Sequence, residues 1–184
     1  FGQKQPDMEV THEEGVYVGY HYYSTFGVKP AYEFGYGLSY TDFTYGDLKL
    51  SSASFTDKLT ATITVTNSGK AAGKEVVQVY ISAPANKLDK PAAELKAFAK
   101  TGLLKPGESQ TFTFNISPRD LASYQTKTTS WVADAGTYTI KVGTSQTVKQ
   151  SATFKLAKDI VVEKTNKVLV PKVLINEMKP VLKK

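Results

Sequence analysis

Alternation of apolar and polar residues recurs along the middle of this chain and restricts what it can fold into. Residues 59–67 (LTATITVTN) place Leu, Ala, Ile and Val on one face and threonine on the other, and residues 74–82, 110–117 and 136–143 repeat the pattern. A period of two is typical of a β-strand with one buried face. Gly, Pro and Asn mark turns between these segments, at residues 67–73, 105–109, 134–136 and 143–146.

Further segments raise the predicted number of strands to about eight, and together they predict a β-sandwich. These segments are residues 43–52, 95–102, 129–136 and 151–157. Residues 117–124 (SPRDLASY) predict one helical turn, with Ser117 as the cap, Pro118 at the first position and Asp120 near the positive end. Residues 90–98 contain helix-forming residues, but their β neighbours favour a loop that runs into a strand.

Composition and charge exclude several classes of protein. The 184 residues are 41% hydrophobic and contain no cysteine, which suffices for one compact domain with an extra segment and excludes a disulfide framework. No apolar run has the roughly 20 residues that a membrane-spanning helix needs, and from the start at Phe1 we expect a mature or cut chain. The net charge of +6 is concentrated after residue 154, and Arg119 is the single arginine. We therefore expect no nucleic-acid partner.

The two ends of the chain differ from the β-rich body. We divide the chain into a connector arm (residues 1–42), a sandwich (residues 43–157) and an extended basic tail (residues 158–184). Residues 32–45 (YEFGYGLSYTDFTY) hold six aromatic rings and two glycines. Each ring buries on the order of 150–250 Å² when packed, and the arm is too short to bury its rings internally. The sequence therefore predicts an interface with further protein.

The predicted domain-interface residues are aromatic, together with two glycines that flank one ring. We expect the backbone of both glycines to have positive φ, so that the ring between them is turned into a neighbour. The predicted set is Tyr17, Tyr20, Tyr22, Tyr32, Phe34, Gly35, Tyr36, Gly37 and Tyr40.

A search for reactive groups predicts no catalytic, cofactor-binding or metal-binding residues. Glu13 and Glu14 are adjacent and diverge in an extended chain. His12 and His21 lack the spacing of helical metal ligands, and no G-x-S-x-G nucleophile elbow occurs. Trp131, the single tryptophan, would suit sugar stacking if exposed, but packing within the sandwich is favoured.

Several long motifs resemble one family of enzymes. Residues 14–45 (EGVYVGYHYYSTFGVKPAYEFGYGLSYTDFTY) are similar to the junction in glycoside hydrolase family 3, the β-glucosidase and β-xylosidase family. There the segment leads from the second α/β domain into a C-terminal fibronectin type III-like domain. Residues 65–82, 90–124 and 131–146 are similar to that domain, and the resemblance covers about residues 13–155. The motifs occur in the family order, which makes the resemblance specific.

Two positions depart from the family pattern. The usual Arg and Asp of the junction are replaced by His21 and Ser24. The replacement removes a cation and an anion together, so neutral contacts are expected where the family has an ion pair.

The resemblance implies an all-β, fibronectin type III-like (immunoglobulin-like) β-sandwich with the connector arm and the extended tail. It also implies the non-catalytic C-terminal portion of a retaining β-glycosidase, with β-glucosidase as the expected activity, since the family's nucleophile and acid/base lie in an N-terminal barrel and a second domain. The implied partners are those catalytic domains, either covalently joined or as a separate chain, and a β-linked glycoside would bind only through them. We expect a periplasmic or secreted location, no cofactor, and leave a homo-oligomer open. The alternative is a free-standing carbohydrate-binding or adhesion module.

Overall fold

The computed structural model describes residues 12–168 together with Val173, Asn176, Met178 and Lys179. Strands dominate the described chain, with two short helices. The elements are α1 (Tyr20–Phe26), β1 (Phe43–Tyr45), β2 (Lys49–Leu50), β3 (Ser54–Phe55), β4 (Leu59–Asn67), β5 (Val76–Ser82), β6 (Glu94–Lys100), β7 (Ser109–Ile116), α2 (Pro118–Leu121), β8 (Ser123–Gln125), β9 (Ser130–Ala133), β10 (Gly136–Gly143), β11 (Val148–Leu156) and β12 (Ile160–Lys164).

The strands form two main sheets and one small sheet. In the first sheet β4 pairs with β1, β2 and β7, and in the second the order is β3-β11-β10-β5-β6. All pairings in these sheets are antiparallel except the one between β3 and β11. The third sheet, β12-β9-β8, is also antiparallel. The all-β sandwich that the sequence predicted is thereby confirmed.

Burial alternates along β4, as its sequence requires. Leu59, Ala61, Ile63 and Val65 are buried in the core, while the threonines between them face outward. On the outward face the threonine hydroxyls of β4 bond to hydroxyls of β7, with oxygen separations of 2.8–3.1 Å. The apolar face meets residues of the second sheet in one cluster. Its other buried members are Phe55, Val77, Val79, Ile81, Phe114, Ile116, Leu121, Ala133, Tyr138, Ile140, Val142, Phe154 and Leu156.

The predicted helical turn and the predicted loop-to-strand segment are both present. α2 begins with Pro118 after the cap residue Ser117, and the Asp120 carboxylate accepts hydrogen bonds from the Ser117 N–H at 2.8 Å and its Oγ–H at 2.6 Å. The chain enters β6 at Glu94, and no helix forms at residues 90–98.

The structure adds elements that the sequence did not predict. Strands β3 and β8 have only two and three residues, too few to show alternation. The helix α1 lies in the connector arm, where no element was predicted. Within the tail, residues 160–164 form β12 and pair with β9, so ordered sheet structure continues past residue 157. The division into arm, sandwich and tail stays a prediction.

Contacts tie the tail to the rest of the chain. Lys87 Nζ donates to the Asp159 carboxylate at 2.6 Å, and Arg119 contacts Glu163 at 2.5 Å. Further along, the Met178 N–H donates to the Glu13 carbonyl at 2.7 Å. From the sequence, Leu169, Val170, Val173, Leu174 and Ile175 are candidates either for an extra edge strand, which Pro171 favours, or for a segment lying along further protein. All of these residues except Val173 lie outside the described residues. No helix of the described chain is long and apolar enough to cross a membrane.

Candidate functional site

The first half of the connector arm is anchored to the sandwich through α1. The Leu95 N–H at the start of β6 donates to Tyr20 Oη at 2.9 Å, and the Tyr20 ring packs edge-on against Tyr80 of β5. The Ala92 N–H donates to Thr25 Oγ1 at 3.0 Å. Partial burial raises the pKa of the Tyr20 phenol. These contacts fix the orientation of α1 on the second sheet.

The rings of this first half largely pack among themselves. Tyr17 is 3% exposed and meets the Phe26 ring at 5.3 Å, and Tyr22 stacks on Phe26 at 4.9 Å. The expectation that the arm cannot bury its rings is therefore wrong for Tyr17. Tyr22 and Phe26 meet because side chains four positions apart share a face of α1, and Tyr17, which precedes the helix, packs on the same Phe26 ring.

Neutral contacts occupy the two positions that depart from the family pattern. His21 Nδ1 lies 3.0 Å from the Val16 carbonyl, and His21 Nε2 lies 2.9 Å from Tyr20 Oη. Ser24 Oγ donates to the Ser145 carbonyl at 3.1 Å. No ion pair is formed at either side chain within the described residues.

The middle of the arm is held by the turn between β10 and β11. The Glu33 carboxylate accepts a hydrogen bond from Thr144 Oγ1 and a second from the Gln146 N–H at 3.2 Å. The Phe34 N–H donates to Ser145 Oγ at 3.1 Å. A charged acceptor strengthens such bonds, so the backbone at residues 33–34 is positioned by the sandwich.

The two glycines of the arm differ from each other. Gly35 has φ of 78°, and a Cβ built there would lie 2.4 Å from Gln78 Nε2. Gln78 is itself buried and accepts a 2.5 Å hydrogen bond from the Tyr80 hydroxyl. Gly37 does not have positive φ, and a Cβ built there would have no atom within 4 Å. Gly35 thus allows a close approach to β5, whereas the positive φ predicted for Gly37 is wrong.

On either side of this anchor the arm exposes a group of large apolar side chains, which we call the arm surface. Tyr32 and Tyr36 lie with ring centroids 5.0 Å apart and are 72% and 53% exposed. Leu38 is 90% exposed and Tyr40 fully exposed. The members of the arm surface are Tyr32, Phe34, Tyr36, Leu38 and Tyr40. A monomer rarely leaves so many contiguous apolar side chains in water.

The end of the arm is fixed by a buried polar contact with the sandwich. Thr41 is buried and bonds to Asn67, the last residue of β4. Asn67 Nδ2 donates to the carbonyls of Ala71 and Leu104, both at 2.8 Å. A Cβ on Gly69 would lie 2.2 Å from Thr41 Oγ1, so only glycine permits this approach. The arm surface is therefore held between two anchored segments.

Sequence reasoning missed an apolar group beside the arm. Phe98 on β6 is 71% exposed, and Val76 and Leu103 are also exposed. The signal was present in residues 95–100 (LKAFAK), because Phe98 occupies the same alternate positions as the two lysines. An aromatic ring on the polar face of a strand points to an interaction surface.

The other candidate residues form no reactive site. His12 and Glu14 make an exposed contact at 3.7 Å, and no group of three or more potential metal ligands occurs among the described residues. Trp131 is half-buried, with the Arg119 guanidinium 4.3 Å from its ring centroid and Tyr124 beside it. The Trp131 face is therefore covered by a cation and does not form an open sugar platform.

A buried ion pair lies within the sandwich. Lys90 Nζ donates to Asp134 Oδ2 at 2.7 Å, and both side chains are almost fully buried. Gln125 Nε2 donates to the other oxygen of Asp134 at 3.1 Å, and the Tyr138 hydroxyl donates to the Asp134 carbonyl at 2.8 Å. Such a pair is costly to break from one side, which suits a structural role.

The fold, with its two main antiparallel sheets and anchored aromatic arm, is that of a fibronectin type III-like β-sandwich. Residues 75–146 match the family model described as "Fibronectin type III-like domain". In sequence the chain is 42% identical to β-glucosidase A of Butyrivibrio fibrisolvens over 96% of its own length and 24% of that relative. The thermostable β-glucosidase B of Acetivibrio thermocellus is 37% identical over 83% of this chain and 21% of its own length.

Solved structures give the same relationship. β-Glucosidase 3B of Thermotoga neapolitana, in complex with α-D-glucose, superposes with a TM-score of 0.75 at 52% identity, over 80% of this chain and 20% of that one. A β-glucosidase from Paenibacillus barengoltzii gives 0.76 at 38% identity, over 88% of this chain and 19% of that one. The chain therefore matches the C-terminal part of glycoside hydrolase family 3 β-glucosidases, including their fibronectin type III-like domain. It spans about a quarter or less of the length of these relatives.

Proposed function

We propose that this chain is the non-catalytic C-terminal portion of a retaining β-glucosidase and that it stabilises the catalytic domains. Retaining hydrolysis needs two carboxyl groups about 5 Å apart, one as nucleophile and one as acid/base. We assign both groups to the portion of the enzyme outside this chain. The kinship with β-glucosidases, of which the chain spans about a fifth to a quarter, supports this assignment.

One observation carries the proposal: an arm held by the sandwich at both ends exposes five large apolar side chains between them. Tyr20 and Thr41 make the two anchoring contacts, and the arm surface lies between these residues. Covering the arm surface with protein would remove its side chains from water, and each Å² of apolar surface buried contributes about 25 cal/mol of stabilisation. The partner is the catalytic barrel and the α/β domain of the same enzyme, whether covalently joined or present as a separate chain.

The sandwich and arm contribute to catalysis only by being correctly positioned against the catalytic portion. By fixing the arm at the β10–β11 turn and at β4, the sandwich presents the arm surface in one orientation to the catalytic portion. A β-linked glycoside then binds through that portion, and this chain contributes no reacting group. We further propose a periplasmic or secreted location for the enzyme.

Hydrolysis of an aryl β-glucoside tests the assignment. The intact enzyme is expected to release the aryl alcohol, and the 184-residue chain alone is expected to be inactive. Electrophoresis of the chain preparation under denaturing conditions serves as the control, because a co-purifying catalytic chain would otherwise mimic activity. Turnover by the pure chain would contradict the proposal, and so would an intact enzyme that hydrolyses no β-linked glycoside.

A further inference from the structure

The outward face of β6 presents a hydrophobic residue that the sandwich itself does not use. Ala97 and Ala99 pack against the core, so Phe98 between them faces away from it. Phe98 is 71% exposed, with Lys96 and Lys100 at the alternate positions on either side. An edge strand is commonly protected by lysines, but a ring between them gives no such protection.

Phe98 lies next to the connector arm across one strand. In the β5–β6 register Phe98 is opposite Gln78, and Val76 is opposite Lys100. Gln78 is the residue on which Gly35 of the arm closes, since a Cβ on Gly35 would overlap its amide. Cross-strand neighbours stand roughly 5 Å apart, so Phe98 flanks the arm where Gly35 crosses β5.

A second approach between arm and patch occurs past the end of β6. The backbone of Leu104 pairs with Gly73, and Ser39 Oγ lies 3.7 Å from the position of a Cβ on Gly73. Leu103, the residue before this bridge, is 62% exposed, and Leu38, the residue before Ser39, is 90% exposed. The arm therefore approaches the second sheet at Gln78 and again at the bridge that follows β6.

We propose that Phe98, with Val76 and Leu103, forms a sheet-face patch that docks on the catalytic portion of the same polypeptide. The patch extends the arm surface into one interface, and Phe98 is its aromatic anchor. Buried aromatic side chains near the centre of an interface carry much of its stability. This inference rests on the proposed function and adds a surface of the sandwich itself to it.

Charge and chain length favour this occupant over a second copy of the chain. Lys96 is paired with Glu94 at 3.3 Å, whereas a two-fold contact through the patch would bring Lys100 of one copy towards lysines of the other. Like charges held opposite each other are destabilising. The relatives have roughly three quarters to four fifths of their length outside the matched region, which supplies ample surface. The geometry calls for an apolar pocket on that portion, bordered by a carboxylate that faces Lys100.

Thiol labelling of the intact enzyme tests the patch directly. Phe98→Cys and the matched control Val161→Cys each place one thiol at an exposed apolar position of a strand, Val161 being 54% exposed on β12. Labelling by a maleimide is followed by mass spectrometry of the two peptides. We expect the thiol at position 98 to react at least about tenfold more slowly than the thiol at position 161. Val76→Cys is a second probe, with the same expectation.

The outcomes separate this inference from the proposed function. An enzyme that hydrolyses an aryl β-glucoside but labels equally fast at positions 98 and 161 overturns the sheet-face patch alone. Protection that disappears on dilution, together with sedimentation as a dimer, overturns it in favour of a second copy. If the intact enzyme without any substitution does not hydrolyse the aryl β-glucoside, the proposed function is contradicted instead. Protection of positions 98 and 76 at all protein concentrations supports the patch.

Discussion

Thr41 Oγ1 donates a 2.7 Å hydrogen bond to Asn67 Oδ1 where both side chains are buried. The same oxygen of Asn67 accepts from the Gly69 N–H at 3.1 Å. The bond joins the last residues of the connector arm to the end of β4. Because Asn67 is also bonded to two carbonyls, it acts as a fixed acceptor, and the direction in which the arm leaves the sandwich is set by this contact.

Replacing Thr41 by Val should loosen this junction. The substitution keeps the side-chain shape but removes the donor, and losing one partner of a buried bond costs about 1–3 kcal/mol. Urea denaturation of the chain measures the loss. Thr44→Val is the matched control, since Thr44 is exposed on β1 and such surface changes stay within about 0.5 kcal/mol. Equal midpoints for the two variants would refute a structural role for the bond.

Replacing Gly35 by Ala should weaken the arm, whereas replacing Gly37 by Ala should not. At Gly35 the new Cβ would meet Gln78 Nε2, and φ is positive, a conformation that costs an L-residue about 1–2 kcal/mol. Limited proteolysis of the arm in the intact enzyme reports the change as faster cleavage. The Gly37→Ala variant provides the control, and cleavage of both variants at the wild-type rate would argue against the close approach on β5.

Replacing Lys90 by Met should destabilise the sandwich strongly. The substitution leaves the Asp134 carboxylate buried without its cation, a change that costs about 3–5 kcal/mol. Thermal unfolding of the chain measures the effect. Lys87→Met is the control, because Lys87 pairs with Asp159 at the surface and exposed pairs contribute little. If the Lys90→Met and Lys87→Met variants had the same Tm, the buried pair would be dispensable for stability.

From the raised pKa values of three tyrosines in the sandwich we expect a loss of stability at alkaline pH. Burial raises the pKa of Tyr45, Tyr80 and Tyr138, and the Glu75 carboxylate adds to the shift at Tyr45. The unfolded chain releases these protons first, near pH 10, so the stabilisation is complete below about pH 10 and is lost as the pH rises towards the folded pKa values. The urea midpoint should fall over this range, and less steeply in Tyr45→Phe. An identical slope in that variant would contradict the assignment to Tyr45.

The sequence predicted the sandwich because burial follows the alternation that residues 59–67 display. It did not predict α1, since a seven-residue helix has little stability of its own and is held by tertiary contacts such as Leu95 N–H to Tyr20 Oη. The interaction surface at Phe98 was not predicted for a different reason: alternation identifies the buried face of a strand, and Phe98 lies on the outward face. The backbone φ of a glycine also depends on its neighbours in the fold. For this reason φ is positive at Gly35 but not at Gly37.

The candidate site was anticipated in composition but not in arrangement. The rings of the arm predicted an interface, yet Tyr17 is buried beside Phe26 while Tyr40 is fully exposed. Ring count alone does not separate these cases, because the contacts of each ring depend on helix α1 and on the β10–β11 turn. The interface assigned to the arm stays a prediction, and it is the central claim of this account.

Oxidative footprinting of the intact enzyme tests that claim most directly. The oxidation rates of Tyr36 and Tyr40 are compared with those in the urea-unfolded enzyme, with Val161 as an exposed reference in the same molecule. Because the catalytic portion covers the arm surface in this account, both tyrosines should be oxidised at least about tenfold more slowly in the native enzyme. Oxidation of Tyr36 and Tyr40 at the unfolded rate in an active enzyme would contradict the account.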